Sequence, residues 1–350
     1  MGSENRCAEI ESTKAVLELS YLCTFPMAAK AAILLKVPDI LSAETAPLTA
    51  KQIADRIPGT NTSEAKLERL LKALATYGLF EVSGSNPPVY GLTAMSRLLA
   101  KDENGVSLAS LFLLNTEPSN LQTLQFLHEA VLEEGLVPFE KAYGKPVFHY
   151  FAENSQLGEI FHSAMTNLSA VSTKTVLMSY SGFKDVKVLV DVGGGTGRNC
   201  SMIKAAYPHI SAINFDMPFV IAKAPKLPGI EHRGGSMFEY VPTDGDAILL
   251  KNVLHNWDDV ACAKILSNCY SALPSVGKLI IIEVVLPEEI DTSVRSRLAV
   301  SFDLAMMNVF KGGKERTIPQ FQDLLKSIGF KNFKVVVNED VFSVMEAYKN

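Results

Sequence analysis

The chain has 350 residues, 47% of them hydrophobic and 20% charged, the balance of a globular protein with material for two domains and not of a disordered segment. A formal net charge of −5 offers no basic face for nucleic acid, and five cysteines without a C-x-x-C pair suggest neither a disulfide framework nor a zinc site, so a reducing compartment is expected. No run approaches the roughly 18 apolar residues that cross a bilayer, residues 1–6 lack an apolar leader core, and no Ser or Thr completes a myristoylation signal after Gly2, which makes the cytoplasm the expected location.

Residues 13–42 place apolar and small side chains at helical spacing, and 24–36 are apolar around most of the circumference. A helix of that kind needs a cover, either the core of its own chain or a second copy. Thr49 with Gln52 forms a capping box that starts a short helix, and 63–77 is a strongly amphipathic second one. Residues 79–83 and 89–93 then read as a hairpin about the turn 84–88. Helix, helix and hairpin resemble a winged helix. Glu64 and Glu68 offset Lys66, Arg69 and Lys72 on the presumptive recognition helix, so it reads as scaffold and not as a DNA reader. Asn86-Pro87-Pro88 half-matches the motif of nucleic-acid amino methyltransferases but precedes the glycine-rich stretch, and turn prolines account for it.

From 107 to 180 the pattern is helical, over 109–114, 120–132, 147–151 and 156–180, punctuated by Gly135, Pro138 and 144–146. Phe112, Leu113, Phe148, Leu157, Phe161, Met165 and Leu168 make this segment rich in Phe, Leu and Met. They read as core or as the wall of a pocket for a flat ring.

Residues 187–198 are the centre of the chain. Val188, Leu189, Val190 and Val192 form an unalternating apolar run suited to a strand buried on both faces. Gly193, Gly194, Gly195 and Gly197 follow, so that a ligand can lie directly against the main chain. The spacing fails the dinucleotide fingerprint, because the third glycine position is Arg198. It fits acidic-x-G-x-G-x-G starting at Asp191, which resembles the S-adenosylmethionine loop of Rossmann-like methyltransferases. A carboxylate there suits a ligand carrying an ammonium and a sulfonium.

Strand-like runs recur at 210–216, 230–233, 246–254, 278–285, 334–338 and 342–348 with helical runs between most of them, which implies a doubly wound, mostly parallel sheet. Ligands of such sheets sit beyond the carboxyl ends of the strands. Asp216 closes the second strand where an acid accepts ribose hydroxyls, Ser236 and Met237 end the third beside the expected adenine, and Lys251 lies within the fourth. His255 stands at the end of the fourth, with Asp258 or Asp259 capping the next helix. Glu283, expected at the end of the fifth strand, and Glu315, on a glycine-hinged loop, would flank the imidazole as the acid of a triad does.

Taken in order, 190–197, 214–216, 234–238, 255–257, Glu283 and 312–317 resemble the plant small-molecule O-methyltransferases of the caffeic acid type, over nearly the whole chain. These act in phenylpropanoid, flavonoid and benzylisoquinoline alkaloid metabolism. The resemblance implies a Rossmann-like S-adenosylmethionine-binding domain over 156–350. It also implies a mainly helical, winged-helix-like dimerisation domain over 1–155 that pairs into a homodimer through its N-terminal helices and contributes to the substrate pocket. It makes His255 the base with Glu283 and Glu315 beside it. Gly193, Asp216, Met237 and Lys251 become cofactor contacts alongside Asp191, Gly195 and Ser236. Leu114, Asn115, Phe161, Met165, Met306 and Phe310 become the lining of a phenol pocket. Two positions depart from the pattern: Asn256 stands where aspartate is common, and Ser236 replaces the adenine-side acid.

The expected reaction is methyl transfer from S-adenosylmethionine to a phenolic hydroxyl, releasing S-adenosylhomocysteine, with no metal, since no ligand cluster is visible in the sequence. The alternatives are methylation of an aromatic amine, or a non-catalytic dimeric binding protein of the same fold.

Overall fold

A computed structural model describes residues 3–59, 61–338 and 341–350. Met1 and Gly2, and with Gly2 the absent acylation signal, lie outside the described residues. The chain divides into two compact units, Met1–Leu121 with Gln156–Asn167, and Gln122–Ser155 with Leu168–Asn350. That division differs from a boundary at 155/156. Residues 122–155 go with the second unit because they pack there: Asn308 Nδ2 donates to Thr123 Oγ1 at 2.8 Å, and Val137, Phe139 and Val147 cluster with Val309 and Phe310.

In the first unit the strands β1 (Leu48–Thr49), β2 (Phe80–Ser83) and β3 (Val89–Leu92) form an antiparallel sheet with β3 in the middle. The capping box is present, with Thr49 Oγ1 accepting from Gln52 N and Gln52 Oε1 accepting from Thr49 N. Leu67, Leu71 and Leu74, spaced on one face of the helix Glu64–Thr76, pack with Ile53, Phe80 and Tyr90. The apolar helix Thr24–Leu34 buries Ala29 and Ala32 in this core but leaves Met27 and Leu34 exposed. Ahead of it, the helix Ser3–Tyr21 exposes Val16, Leu17, Leu19 and Tyr21, each more than half accessible.

The second unit is built on a sheet of β4 (Val188–Val192), β5 (Ser211–Asp216), β6 (Ile230–Gly234), β7 (Ala247–Lys251), β8 (Lys278–Leu286), β9 (Arg316–Thr317), β10 (Lys331–Val337) and β11 (Phe342–Tyr348). The order is β10-β11-β8-β7-β4-β5-β6, with β9 off this path and pairing the carboxyl end of β8. Strands β4 to β8 run parallel, and β10 and β11 are antiparallel additions. From β4 the chain proceeds to β5 and β6 on one side, then to β7 and β8 on the other. The crevice at the carboxyl ends of β4 and β7 is therefore the switch point.

Some elements differ from expectation for local reasons. The strand expected over 246–254 stops at Lys251 because Asn252 adopts a left-handed φ of 55°, and His255 sits in a 3-10 turn, Leu254–Asn256. Glu283 is not at a strand end but inside β8, which continues to Leu286 by pairing Val285 with Arg316. Ser236 and Met237 lie beyond β6, which ends at Gly234. The helix expected over 120–132 is broken by a 3-10 turn at Leu124–Phe126. Pro138 opens a helix, Pro138–Tyr143, since proline suits a first turn.

Candidate active site

The glycine turn leaves β4 with Gly193, Gly195 and Gly197 at φ of 73°, 60° and 86°. A Cβ on Gly193 would lie 2.8 Å from a Val253 methyl, and one on Gly197 would lie 2.9 Å from the His232 ring. At Gly195 a Cβ would meet nothing within 4 Å, so the turn is packed on both flanks and open at its middle. Gly193 N donates to Phe215 O, Gly195 N donates to Asp216 Oδ2, and Asn214 Nδ2 donates to Gly195 O, each at 2.8 Å.

Asp216 closes β5 as expected, and its second oxygen accepts from Met217 N at 2.7 Å. Burial raises its pKa, against the two backbone N–H groups that favour the carboxylate. Asp191 lies beneath the turn, 1% exposed, with Cys200 Sγ donating to its Oδ2 at 3.7 Å. Burial pushes its carboxyl up to about 7, opposed by Lys251 and Asn199. Lys251 ends β7 and donates to Ser169 Oγ and Asn252 Oδ1, while burial lowers its ammonium to about 8 against the pull of Asp191 and Glu283. Ser236 Oγ accepts from Phe238 N at 3.3 Å, and Met237 packs on the core with its carbonyl bound by Asn268.

Val253, whose methyl flanks Gly193, is two residues ahead of His255, so the glycine turn and the imidazole's turn touch. His255 is buried, with Nδ1 at 2.9 Å from Glu315 Oε1 and 3.6 Å from Glu283 Oε2. Only the first distance is a hydrogen bond. Glu283 spends its other oxygen on the N–H groups of Val253 and Leu254, at 2.8 Å each. Glu315 is fixed through its own N–H, which donates to Asp303 Oδ1 at 2.9 Å. Burial alone would lower the imidazole pKa, but the Glu283 and Glu315 carboxylates outweigh it and hold it above its ordinary value. Burial raises Glu283, with His255 opposing and Glu315 adding to the rise. The arrangement can take a proton at Nε2 and stabilise the imidazolium that results. The same three side chains present ligand atoms within 4.8 Å of one another, a grouping that could also bracket a metal ion. The sequence groups these three residues as base and acids, and not as possible metal ligands.

Of the residues expected to line a substrate pocket, Leu114, Asn115, Phe161 and Met165 belong to the first unit and Met306 and Phe310 to the second. Phe310 packs against Phe148 at 5.5 Å between ring centroids. Asp258, not Asp259, caps the helix Asp259–Ala272, accepting from Ala261 N. Sequence reasoning missed Arg316, a 1% exposed arginine in the same short stretch as Glu315 that donates to Leu254 O, Trp257 O and Asp259. Its only signal was adjacency to Glu315.

An O-methyltransferase domain model matches residues 124–331, and an O-methyltransferase dimerisation domain model matches 17–102. (Iso)eugenol O-methyltransferase of Clarkia breweri is 42% identical over 335 residues, covering 93% of this chain and 90% of that one. Caffeic acid 3-O-methyltransferase of Eucalyptus gunnii is 40% identical over 349 residues, covering 97% and 94%. The crystal structure of human N-acetylserotonin methyltransferase in complex with S-adenosylmethionine gives a TM-score of 0.84 at 23% identity, covering 100% of this chain and 99% of that one, and so shares the fold. The chain belongs to the S-adenosylmethionine-dependent O-methyltransferases of plant secondary metabolism, with a dimerisation domain ahead of its catalytic domain.

Proposed function

We propose that this enzyme methylates a phenolic hydroxyl of a plant aromatic metabolite of the phenylpropanoid, flavonoid or benzylisoquinoline alkaloid type, with His255 as base and no metal. The observation that carries this is the commitment of Nδ1 to Glu315 at 2.9 Å, which leaves Nε2 as the basic nitrogen. A phenol with pKa near 10 is ionised to only about one part in a thousand at neutral pH, so a base is what the acceptor needs. Caffeic acid and eugenol, named for the relatives above, are both phenols, which supports an oxygen acceptor over an aromatic amine.

S-adenosylmethionine supplies an electrophilic methyl on sulfur when bound. The residues fit it: the open side of Gly195 admits a ligand against the main chain, and the Asp216 carboxylate beside it has lone pairs left for ribose hydroxyls. Gly193, Asp191 beneath the turn, Ser236, Met237 and Lys251 complete that binding set. Within the second unit, Met306 and Phe310 would contact the acceptor ring. His255 removes the acceptor proton, and Glu315, seconded by Glu283, holds the charge that the imidazole gains. With Ser236 in place of an acid, a non-catalytic binding protein would retain the fold but would have no use for this buried base.

The chain is read as a homodimer through its N-terminal helices, supported by the dimerisation-domain match and by the exposed Val16, Leu17, Leu19 and Leu34. Among the described residues no single helix is long and apolar enough to cross a membrane. The bent pair Cys7–Tyr21 and Thr24–Leu34, which together meet the length and composition, is read as part of that interface in a cytoplasmic enzyme.

The test is His255→Ala, assayed against a panel of phenols and anilines. General-base catalysis contributes roughly 10²- to 10⁴-fold, so turnover on the best phenol should fall by at least about a hundredfold, with calorimetric affinity for S-adenosylmethionine unchanged. Full activity in that variant would remove His255 from the chemistry, and a preference for anilines would replace oxygen by nitrogen as acceptor.

A further inference from the structure

We propose that Arg316 is a positioning residue for this reaction, a clamp on the main chain of the turn that carries His255; the inference rests on His255 being the base. A 1% exposed guanidinium is costly unless its donors are all engaged. Here all three nitrogens donate around the base. Nη1 donates to Leu254 O at 3.0 Å and Nη2 to Trp257 O at 2.8 Å, while Nε and Nη2 reach Asp259 Oδ1 at 3.0 and 2.7 Å. Lys314 N takes the carbonyl between them, that of His255, at 2.9 Å. On the N–H side Glu283 holds Val253 and Leu254. The turn from 253 to 257 is thus gripped through both its donors and its acceptors.

The clamp is itself anchored. Arg316 pairs with Val285 in the β9–β8 ladder, two positions beyond Glu283. Neighbouring residues on an extended chain point to opposite sides, and here Glu315 takes the imidazole ring while Arg316 takes the main chain of its turn. Asp259, whose side chain is 59% exposed, fixes the guanidinium from outside and also accepts from Lys314 Nζ at 2.7 Å. Lysine cannot reproduce this set, because a point charge lacks the planar fork that spans two carbonyls and a carboxylate.

The experiment compares Arg316→Lys, Asp259→Asn, the double variant and His255→Ala. It reads kcat and KM on the best phenol of the panel, calorimetric affinity for S-adenosylmethionine, thermal melting, and the pH profile of kcat/KM. Misplacement of a reacting group by about 1 Å can cost roughly a hundredfold, so Arg316→Lys should lower kcat by about ten- to a hundredfold. KM and cofactor affinity should hold, and the acid limb should move to lower pH as the ring loosens from Glu315. Asp259→Asn should move both readouts the same way by less, and the double variant should equal Arg316→Lys alone. A folded Arg316→Lys enzyme with wild-type kcat and limb overturns the proposal, as does a loss of kcat accounted for by lost folding or cofactor affinity with the limb unmoved. Should Arg316→Lys not fold, Asp259→Asn decides: an unchanged kcat and limb in it overturn the clamp. An active His255→Ala would overturn the base reading, whereas an inactive His255→Ala beside normal clamp variants would overturn the clamp alone.

Discussion

Replacing Glu315 by Gln removes a charge from the 2.9 Å contact with His255 Nδ1 while keeping the shape of the side chain. When the imidazole takes the acceptor's proton, the native carboxylate faces a cation and the amide would not. Hydrogen bonds to charged groups contribute about 1.5–3 kcal/mol, and an interaction of that size realised in the transition state corresponds to roughly 10- to 150-fold in kcat. Glu283 stands at 3.6 Å from the same nitrogen, beyond hydrogen-bonding range, so Glu283→Gln should cost less than Glu315→Gln. The pH profile gives a second reading. Because the two carboxylates raise the imidazole pKa, the active neutral ring is lost as pH falls through a value above the ordinary 6.5. In Glu315→Gln that limb should move down toward the ordinary value, so that relative activity at acidic pH improves while the plateau drops. Steady-state kinetics across pH, with calorimetry confirming normal cofactor binding, measures both effects. A Glu315→Gln enzyme with wild-type turnover and an unmoved limb would refute the assignment of Glu315 to the imidazolium.

Asp216→Asn should weaken S-adenosylmethionine binding in calorimetry more than it lowers turnover at saturating cofactor, since a neutral amide is the poorer acceptor for ribose hydroxyls. Gly195→Ala should fold, because its Cβ has room, and yet bind cofactor more weakly, because that methyl takes the ligand's side of the turn; the left-handed φ adds a strain of about 1–2 kcal/mol, visible as a lower melting temperature. Glu283→Ala should lower the melting temperature further than Glu283→Gln, since it orphans two buried N–H groups at about 1–3 kcal/mol each. Prolonged dialysis against EDTA should leave activity intact, and restoration of lost activity by one divalent ion would convert the cluster of His255, Glu283 and Glu315 from base and acids into ligands.

The parts of this site that depend on short stretches of chain were legible in the amino-acid sequence. Four glycines after an apolar run announce a turn suited to a ligand, and Asp216 closes the strand-like run read over 210–216. What could not be read is what pairing across the sheet decides. Glu283 is expected at the end of a run read to 285, and pairing with β11 at Val284 and with Arg316 at Val285 places it inside the strand instead. The relative closeness of the two acids to Nδ1 depends on the same ladder. Arg316 was invisible for the opposite reason: arginine is ordinarily a surface residue, and its burial is set by carbonyls that only the fold gathers. Asn252 ended a strand that its apolar neighbours seemed to continue, because a left-handed asparagine has little apolar signature.

The contact between Val253 and the backbone of Gly193 couples two jobs that are usually discussed apart. Any side chain introduced at 193 must push on the segment bearing the imidazole, so a lesion in donor recognition there would present in kinetics as a lesion in proton removal. If Gly193 borders the donor and His255 is the base, as proposed, substitutions on the two sides of this seam are coupled, and a search for variants with altered donors would do better to leave position 193 untouched.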